Sequence, residues 1–342
     1  MAVNSIKLIT LFLLWLLFCS LGLLNGTIDI PFEAIVSMIL GDESIKESWK
    51  LIFFESRLPK IITASLAGAS LSVSALFMQT FFRNPLAGPY VLGVSSGASL
   101  GVAIFILGQS VFMLEFSDYQ NQIGLVLFAS IGSLISMMIV LIAAKWIKGF
   151  VTLLIIGLML NYFTSALVSI LQKWSQKEEN EAFIFWNFGS FEGVNWELMK
   201  IYFPIVAVFL LLSFIFIRPL DVFLLGERIA KSMGMEMSKI RLGIIFVASV
   251  LAGVTTAFCG PIAFVGLAVP HITRWTFKSS RHAILVPGCL LIGMVITTLA
   301  DFICHLPPPP HDLPINSVTS LIGTPVVLIL IIMMSRSKRN MQ

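Results

Sequence analysis

The chain has 342 residues, 57% of them hydrophobic and only 12% charged, with a formal net charge of +4. Charged residues make up about a quarter of an ordinary soluble domain, so this composition excludes that class and points into the membrane. The small positive balance argues against a nucleic-acid partner. Cys19, Cys259, Cys289 and Cys304 form no C-x-x-C pair, and they do not combine with His271, His282, His305 or His311 at zinc spacing. No protein-bound metal is expected.

About 20 apolar residues cross a hydrocarbon core of about 30 Å. On that ruler the chain reads as spans near 6–25, 60–80, 90–108, 122–145, 150–171, 201–217, 241–258, 284–303 and 317–334. The first run, Leu8–Leu24, is followed by no small-x-small cleavage pattern, and Phe18 stands where a lipoprotein signal needs a small residue; it is expected to stay as a span. "PIAFVGLAVPHITR" (261–274) is a tenth, short or broken span. The expected fold is an all-α polytopic membrane protein of about ten transmembrane helices, one membrane domain over 1–342.

With ten spans, one side of the membrane collects Lys7, Arg83, Lys145, Lys148, Arg218, Arg228, Lys231, Lys239, Arg241, Arg274, Lys278, Arg281, Arg336, Lys338 and Arg339, which is 15 of the 22 basic residues. Of the 18 acids only Asp221, Glu227 and Glu236 join them. The basic side is the cytoplasmic one, which puts both termini there. On the acidic side, 26–57 reads as a short surface helix, 172–199 as an acidic, aromatic loop, and "HLPPPPHDLPIN" (305–316) as a stiff polyproline turn.

Gly93, Gly97 and Gly101 recur on one face of the third span, where small residues let helix backbones approach; the same face could also border a pore. "RNPLAGP" (Arg83–Pro89) stops one helix and aims the next. Asn161, Ser165 and Ser169 make a polar stripe in the fifth span, and Thr319, Ser320, Gly323 and Thr324 another in the last. Such groups are either interhelical glue or the lining of a path. Asp301 is the one acid within a span, near its acidic end, and reads as a structural hydrogen-bonding residue. Without mid-membrane carboxylates an ion-coupled carrier is disfavoured. No phosphate-binding loop is present either, since "GERIAKS" has Ala230 before Lys231 where the motif requires glycine. An intramembrane enzyme would need a nucleophile–base or metal pair, and none is visible.

The polar island "LLGERIAKSMGMEMSKIR" (224–241) interrupts these apolar runs. It reads as two short helices within 220–236, hinged at Gly226 and stopped at Gly234. Leu224, Leu225, Ile229, Ala230 and Met233 would form an apolar patch ringed by charges such as Glu227. This is the composition of a small docking surface; a solvated basic loop is the plainer alternative.

The chain resembles the FecCD-type permeases of iron-chelate and cobalamin ABC importers. The resemblance is carried over nearly the whole chain by "RLPK" (57–60), "MQTFFRNPLAGPYVLGVSSGASLG" (78–101), "FWNFGS" (185–190), "LGERIAKSMGM" (225–235), "GPIAFVGLAVPHITR" (260–274) and "LPINSVTSLIGTPVVLIL" (313–330). It implies a type II importer permease in the bacterial cytoplasmic membrane, a homodimer or a pair with a paralogue. Two copies of a separate ATPase subunit would use ATP and Mg, and an extracytoplasmic substrate-binding protein would deliver cargo. The chain itself would hold no cofactor and no catalytic residue. By the same resemblance Leu220–Met235 couples to the ATPase, Arg57 and Lys60 face carboxylates of the binding protein, and His305 occupies a third, usually basic, position there. Path-lining residues would be Asn161, Ser165, Ser169, Thr319 and Gly323. A ferric siderophore is the first expected cargo, with haem or cobalamin the alternative.

Overall fold

The computed structural model describes residues 2–26, 28–41, 45–88, 90, 93–108, 118–147, 149–307 and 312–339. Pro308–His311 of the proline turn, Pro89 and Lys148 lie outside the described residues, as do the side chains of Glu227, Arg228, Lys231, Arg336, Lys338 and Arg339. In chain order the helices are α1 (Ala2–Leu24), α2 (Phe32–Ile39), α3 (Glu47–Leu51), α4 (Leu58–Phe82), α5 (Val94–Leu107), α6 (Asp118–Trp146), α7 (Phe150–Trp174) and α8 (Lys177–Asn187). There follow α9 (Trp196–Ser213), α10 (Ile217–Leu225), α11 (Glu227–Ser232), α12 (Met237–Cys259), α13 (Val265–Phe277), α14 (His282–Cys304) and α15 (Ile315–Arg339).

Seven described helical stretches are long and apolar enough to cross a membrane, and two shorter apolar helices occupy Val94–Leu107 and Ile315–Ile329. With the 13-residue α13, this makes the ten apolar segments that run lengths in the sequence imply. Helix α4 is the axis. It is buried on nearly every side and packs against α14, α12, α13, α9 and α10. Its sequence explains this: Ala64, Ala67, Gly68, Ala69, Ser70, Ser72, Ser74 and Ala75 are all buried, and small side chains permit contact all round where lipid gives no hydrophobic drive for association. A Cβ on Gly68 would overlap the Gly293 carbonyl of α14, and one on Gly293 would overlap the Gly68 carbonyl. Thr297 stitches the crossing by donating to the Ala64 carbonyl at 2.7 Å.

A second close pair, α5 with α6, uses Gly97 and Gly101, where a Cβ would strike the Gly132 and Phe128 carbonyls respectively. Gly93 does not belong to that stripe. It precedes α5 with φ +73° and faces Leu160 and Asn161 of α7. Helix α12 touches both α4 and α6 and ties the two pairs together. Among the described residues α7 packs chiefly against α5 and α6, and α15 against α13 and α14.

Two loops differ from expectation. The described part of 26–57 holds α2, α3 and a π-helical segment, Ile52–Arg57, that leads into α4, around a small satellite core of Ile30, Ile35, Met38 and Phe53. The expected loop at 172–199 contains α8, opened by a capping box in which the Gln176 backbone N–H donates to Glu179 at 3.1 Å. That Q-x-x-E spacing was available in the sequence.

Candidate functional site

The end of the bundle richest in basic residues carries α10 and α11. Gly226 joins them at φ +118°, ψ 149°, a region open essentially to glycine alone, and Gly234 ends the unit with φ +79°. The amphipathic α10 buries Leu220 and Phe223 completely while leaving Leu224 and Leu225 exposed, 45% and 61%. Ile229 and Met233 continue the exposed patch on α11 and beyond it. Ala230 is fully buried and therefore does not belong to the surface patch, contrary to the sequence reading.

What holds this unit was not visible in the sequence. Phe223 stacks on Phe81 of α4 with centroids 5.8 Å apart. Arg83, in a left-handed conformation at the end of α4, lies over the Phe223 ring and donates to the Phe223 carbonyl at 2.9 Å. On the other flank Asp221 Oδ1 accepts from both the backbone N–H of His282 at 2.8 Å and its ring Nδ1 at 2.7 Å. Asp221 thus caps α14 from a different helix, satisfying one of the N–H groups a helix start leaves open. The far side of the imidazole, Nε2, meets the Thr80 hydroxyl of α4 at 2.9 Å.

Between α12 and α13 the chain is non-helical from Gly260 to Phe264. Backbone freed from a helix inside a bilayer is tolerated only where protein satisfies it, and several of its groups are paired here. Ser190 N–H donates to the Cys259 carbonyl at 2.9 Å, Tyr90 hydroxyl donates to the Ile262 carbonyl, and Asn316 accepts from Ala263 N–H at 3.1 Å. Phe264 itself sits at φ +64° and fills the space beside Gly323. Asn161 is bound into the same region, accepting from Ser96 at 2.5 Å and donating to the Tyr90 carbonyl at 3.4 Å. Thr319 is buried and turns its hydroxyl to the Ile315 carbonyl of its own helix. Ser165 and Ser169 are exposed on α7. The two groups of expected path residues are thus separated: Asn161 and Gly323 pack around the helix break, while Ser165 and Ser169 lie on an open face.

At the acidic end, Arg57 and Lys60 are not displayed. Arg57 is 3% exposed and donates to the Leu23, Leu24 and Ile28 carbonyls. A cation placed on the last carbonyls of α1 satisfies acceptors the helix end leaves open and complements its dipole. Lys60 is 4% exposed and lies 3.6 Å from Glu192 and 3.9 Å from Asp301. The expectation that both residues present free charge to a partner is therefore corrected: burial and internal acceptors use those charges inside this chain. Asp301 Oδ2 is buried without a hydrogen-bond partner, and the carboxylate lies 3.9 Å from both Lys60 and His305.

His305 closes the cluster. Its Nδ1 faces the Asp301 backbone carbonyl at 2.8 Å and its Nε2 faces Glu192 at 3.0 Å. The Lys60 ammonium also lies 3.3 Å from Nε2, so that nitrogen is shared between a donor and an acceptor. The hydrogen bond donated to Glu192 raises the His305 pKa, against the lowering effects of burial and of the Lys60 charge. The same bond, aided by Lys60, lowers that of Glu192. The net direction for His305 is upward, toward the protonated ring that pairs with Glu192.

Comparison with known proteins agrees with this architecture. The FecCD transport family matches residues 12–333. The hemin transport system permease protein of Yersinia pestis is 30% identical over 94% of this chain and 93% of its own. The Fe(3+) dicitrate transport system permease protein of Escherichia coli is 31% identical over 92% and 94%. The vitamin B12 import system permease protein of Salmonella paratyphi A is 32% identical over 94% and 96%. Among solved structures, an inward-facing metal-chelate type ABC transporter superposes with a TM-score of 0.81 at 29% identity, covering 96% of this chain and 99% of that one. This chain is a member of the FecCD transport family.

Proposed function

We propose that this chain is the permease subunit of an ATP-driven importer that moves an iron chelate, a ferric siderophore first, across the bacterial cytoplasmic membrane. The observation that carries the reading is the α10–α11 unit. Leu224, Leu225, Ile229 and Met233 are exposed together on short helices whose buried residues are locked to α4 and α14. An exposed apolar patch of this kind fits an ATPase cleft. Relatives named for hemin, ferric dicitrate and vitamin B12 support a bulky chelate as the cargo class.

In this reading the basic end and both termini are cytoplasmic, following the distribution of Lys and Arg. Two copies of the chain, or one with a paralogue, meet across the open faces of α7 and α15, and Ser165 and Ser169 then border the path. Two ATPase subunits using ATP and Mg dock below. An extracytoplasmic binding protein docks at the acidic end, meeting the exposed rim around Glu192, with Arg57 and Lys60 supporting that rim from inside. The chain holds no catalytic residue and no cofactor of its own in this assignment.

The test is ATP-dependent uptake into liposomes containing this chain with its ATPase and binding protein, offering a ferric siderophore, haem and cobalamin in parallel. Accumulation of the siderophore, blocked by a non-hydrolysable nucleotide, is expected. Accumulation of haem or cobalamin instead would keep the importer and change its cargo. The double variant Ile229→Glu, Met233→Glu should lose co-purification of the ATPase while staying folded; normal co-purification would remove the docking assignment.

A further inference from the structure

If α10–α11 is the ATPase-facing unit, as proposed above, its movement must reach the transmembrane helices through specific contacts. We propose that His282 is the transmission residue, one imidazole clamping α10 to both α14 and α4, so that displacement of α10 moves that helix pair as a body.

Three features carry this. First, His282 touches three helices at once: it belongs to α14, its backbone N–H and Nδ1 hold Asp221 of α10 at 2.8 and 2.7 Å, and its Nε2 holds Thr80 of α4 at 2.9 Å. Its side chain is 1% exposed, and low dielectric strengthens such bonds. Asp221 only accepts, so Nδ1 carries a proton, and the Thr80 hydroxyl, able to donate or accept, pairs with Nε2. Second, α4 and α14 meet at Gly68 and Gly293 with backbones in contact, so a force on their shared basic end is not dissipated between them. Third, a cavity of about 340 Å³ opens beside the clamp, bordered by Leu224, Gln79, Arg83 and Arg274. Helix α10 therefore has room to swing while the clamp holds. On the far side of the clamp Gly226 gives slack: motion of α11 alone is absorbed there, and motion of α10 is passed on.

The assignment differs from a purely structural role in what it predicts for the two ends of the molecule. Spin labels at Arg218→Cys, exposed on α10 outside the apolar patch, and at Ser317→Cys, exposed at the opposite end of α15 beside α14, report each end in the full complex with the ATPase. In the otherwise unmodified chain, adding Mg and a non-hydrolysable ATP analogue should change the spectra of both labels. With His282→Ala the ATPase should still co-purify and the Arg218 label should still respond, while the Ser317 response falls severalfold, the remainder passing through Phe223 and Arg83 to α4. His282→Asn, which can keep a donor toward Asp221, should recover part of that response. Thr80→Val removes only one hydroxyl, keeps the shape of the side chain, and should reduce the response without affecting folding. An unchanged Ser317 response in both His282→Ala and Thr80→Val would overturn the proposal. Failure of the ATPase to bind even the unmodified chain would instead overturn the docking assignment on which it rests.

Discussion

Helices α4 and α14 run antiparallel, and each end of this one pair carries a polar cluster, yet the two clusters are built in opposite ways. At the basic end Asp221, His282 and Thr80 satisfy one another by hydrogen bonds, and the neighbouring surface is apolar and hinged. At the acidic end Lys60, Asp301, His305 and Glu192 crowd four ionisable groups together, with Asp301 Oδ2 left without a hydrogen bond. The first arrangement fixes geometry with little net charge at stake, which suits an element that must be moved without being pulled apart. The second depends on charge balance: removing one member leaves another buried and uncompensated, and such a cluster is stable only as a whole.

The contrast breaks most visibly at Lys60. Lys60→Met leaves His305 as the one remaining cation beside Asp301 and Glu192 among the described residues, and breaking a buried ionic arrangement from one side costs up to about 3–5 kcal/mol. Thermal unfolding in detergent should show a large drop in midpoint, partly regained in Lys60→Met, Asp301→Asn. An unchanged midpoint for the single variant would mean that the cluster carries no stability.

A smaller and local effect is expected at the hinge. A Cβ on Gly226 meets nothing within 4 Å, so Gly226→Ala adds backbone strain alone, about 1–3 kcal/mol. Hydrogen exchange should quicken across α10 and α11 while the global midpoint stays put. Equal destabilisation of the whole bundle would contradict the independence of this unit.

The smallest effect belongs to Glu192, whose side chain is 55% exposed; solvent screening limits such a pair to about 1 kcal/mol or less. His305 is raised on folding, so its share of stability is complete below its ordinary value of 6.5 and lost as pH climbs through the raised one. Glu192 is lowered, so its share is complete above 4.5 and lost as pH falls through the lowered value. The midpoint difference between the wild type and Glu192→Gln should therefore be widest between about pH 4.5 and 6.5 and close on the alkaline side. A difference that grows with alkalinity would reverse the assignment of the charged partner.

Much of the fold is legible before any coordinates are known, because a bilayer converts apolar run length into helices and charge into sidedness. The same holds for the hinge: Gly226 and Gly234 punctuate a short amphipathic stretch, and glycine is what such backbone angles require. Helix α8 was also readable in the Gln176–Glu179 spacing. The functional side chains fare unevenly. Ile229 and Met233 lie where spacing places them, whereas Ala230 faces inward, because one turn of a six-residue helix cannot show which side its neighbours will cover.

Arg57 and Lys60 show the limit most clearly. A basic pair between spans reads as surface charge, and nothing local reveals that one will cap α1 and the other will be buried against Asp301. Asp221 and His282 are 61 residues apart, and Lys60 and His305 are 245 apart. By itself, then, the sequence determined the helical class, the ten apolar segments, the basic end and the hinged pair, since each depends on patterns within one helix. Only the tertiary structure decided which charges are spent inside and which helices the imidazole joins, because burial and pairing between distant segments are properties of packing, set by close backbone contacts such as that of Gly68 with Gly293.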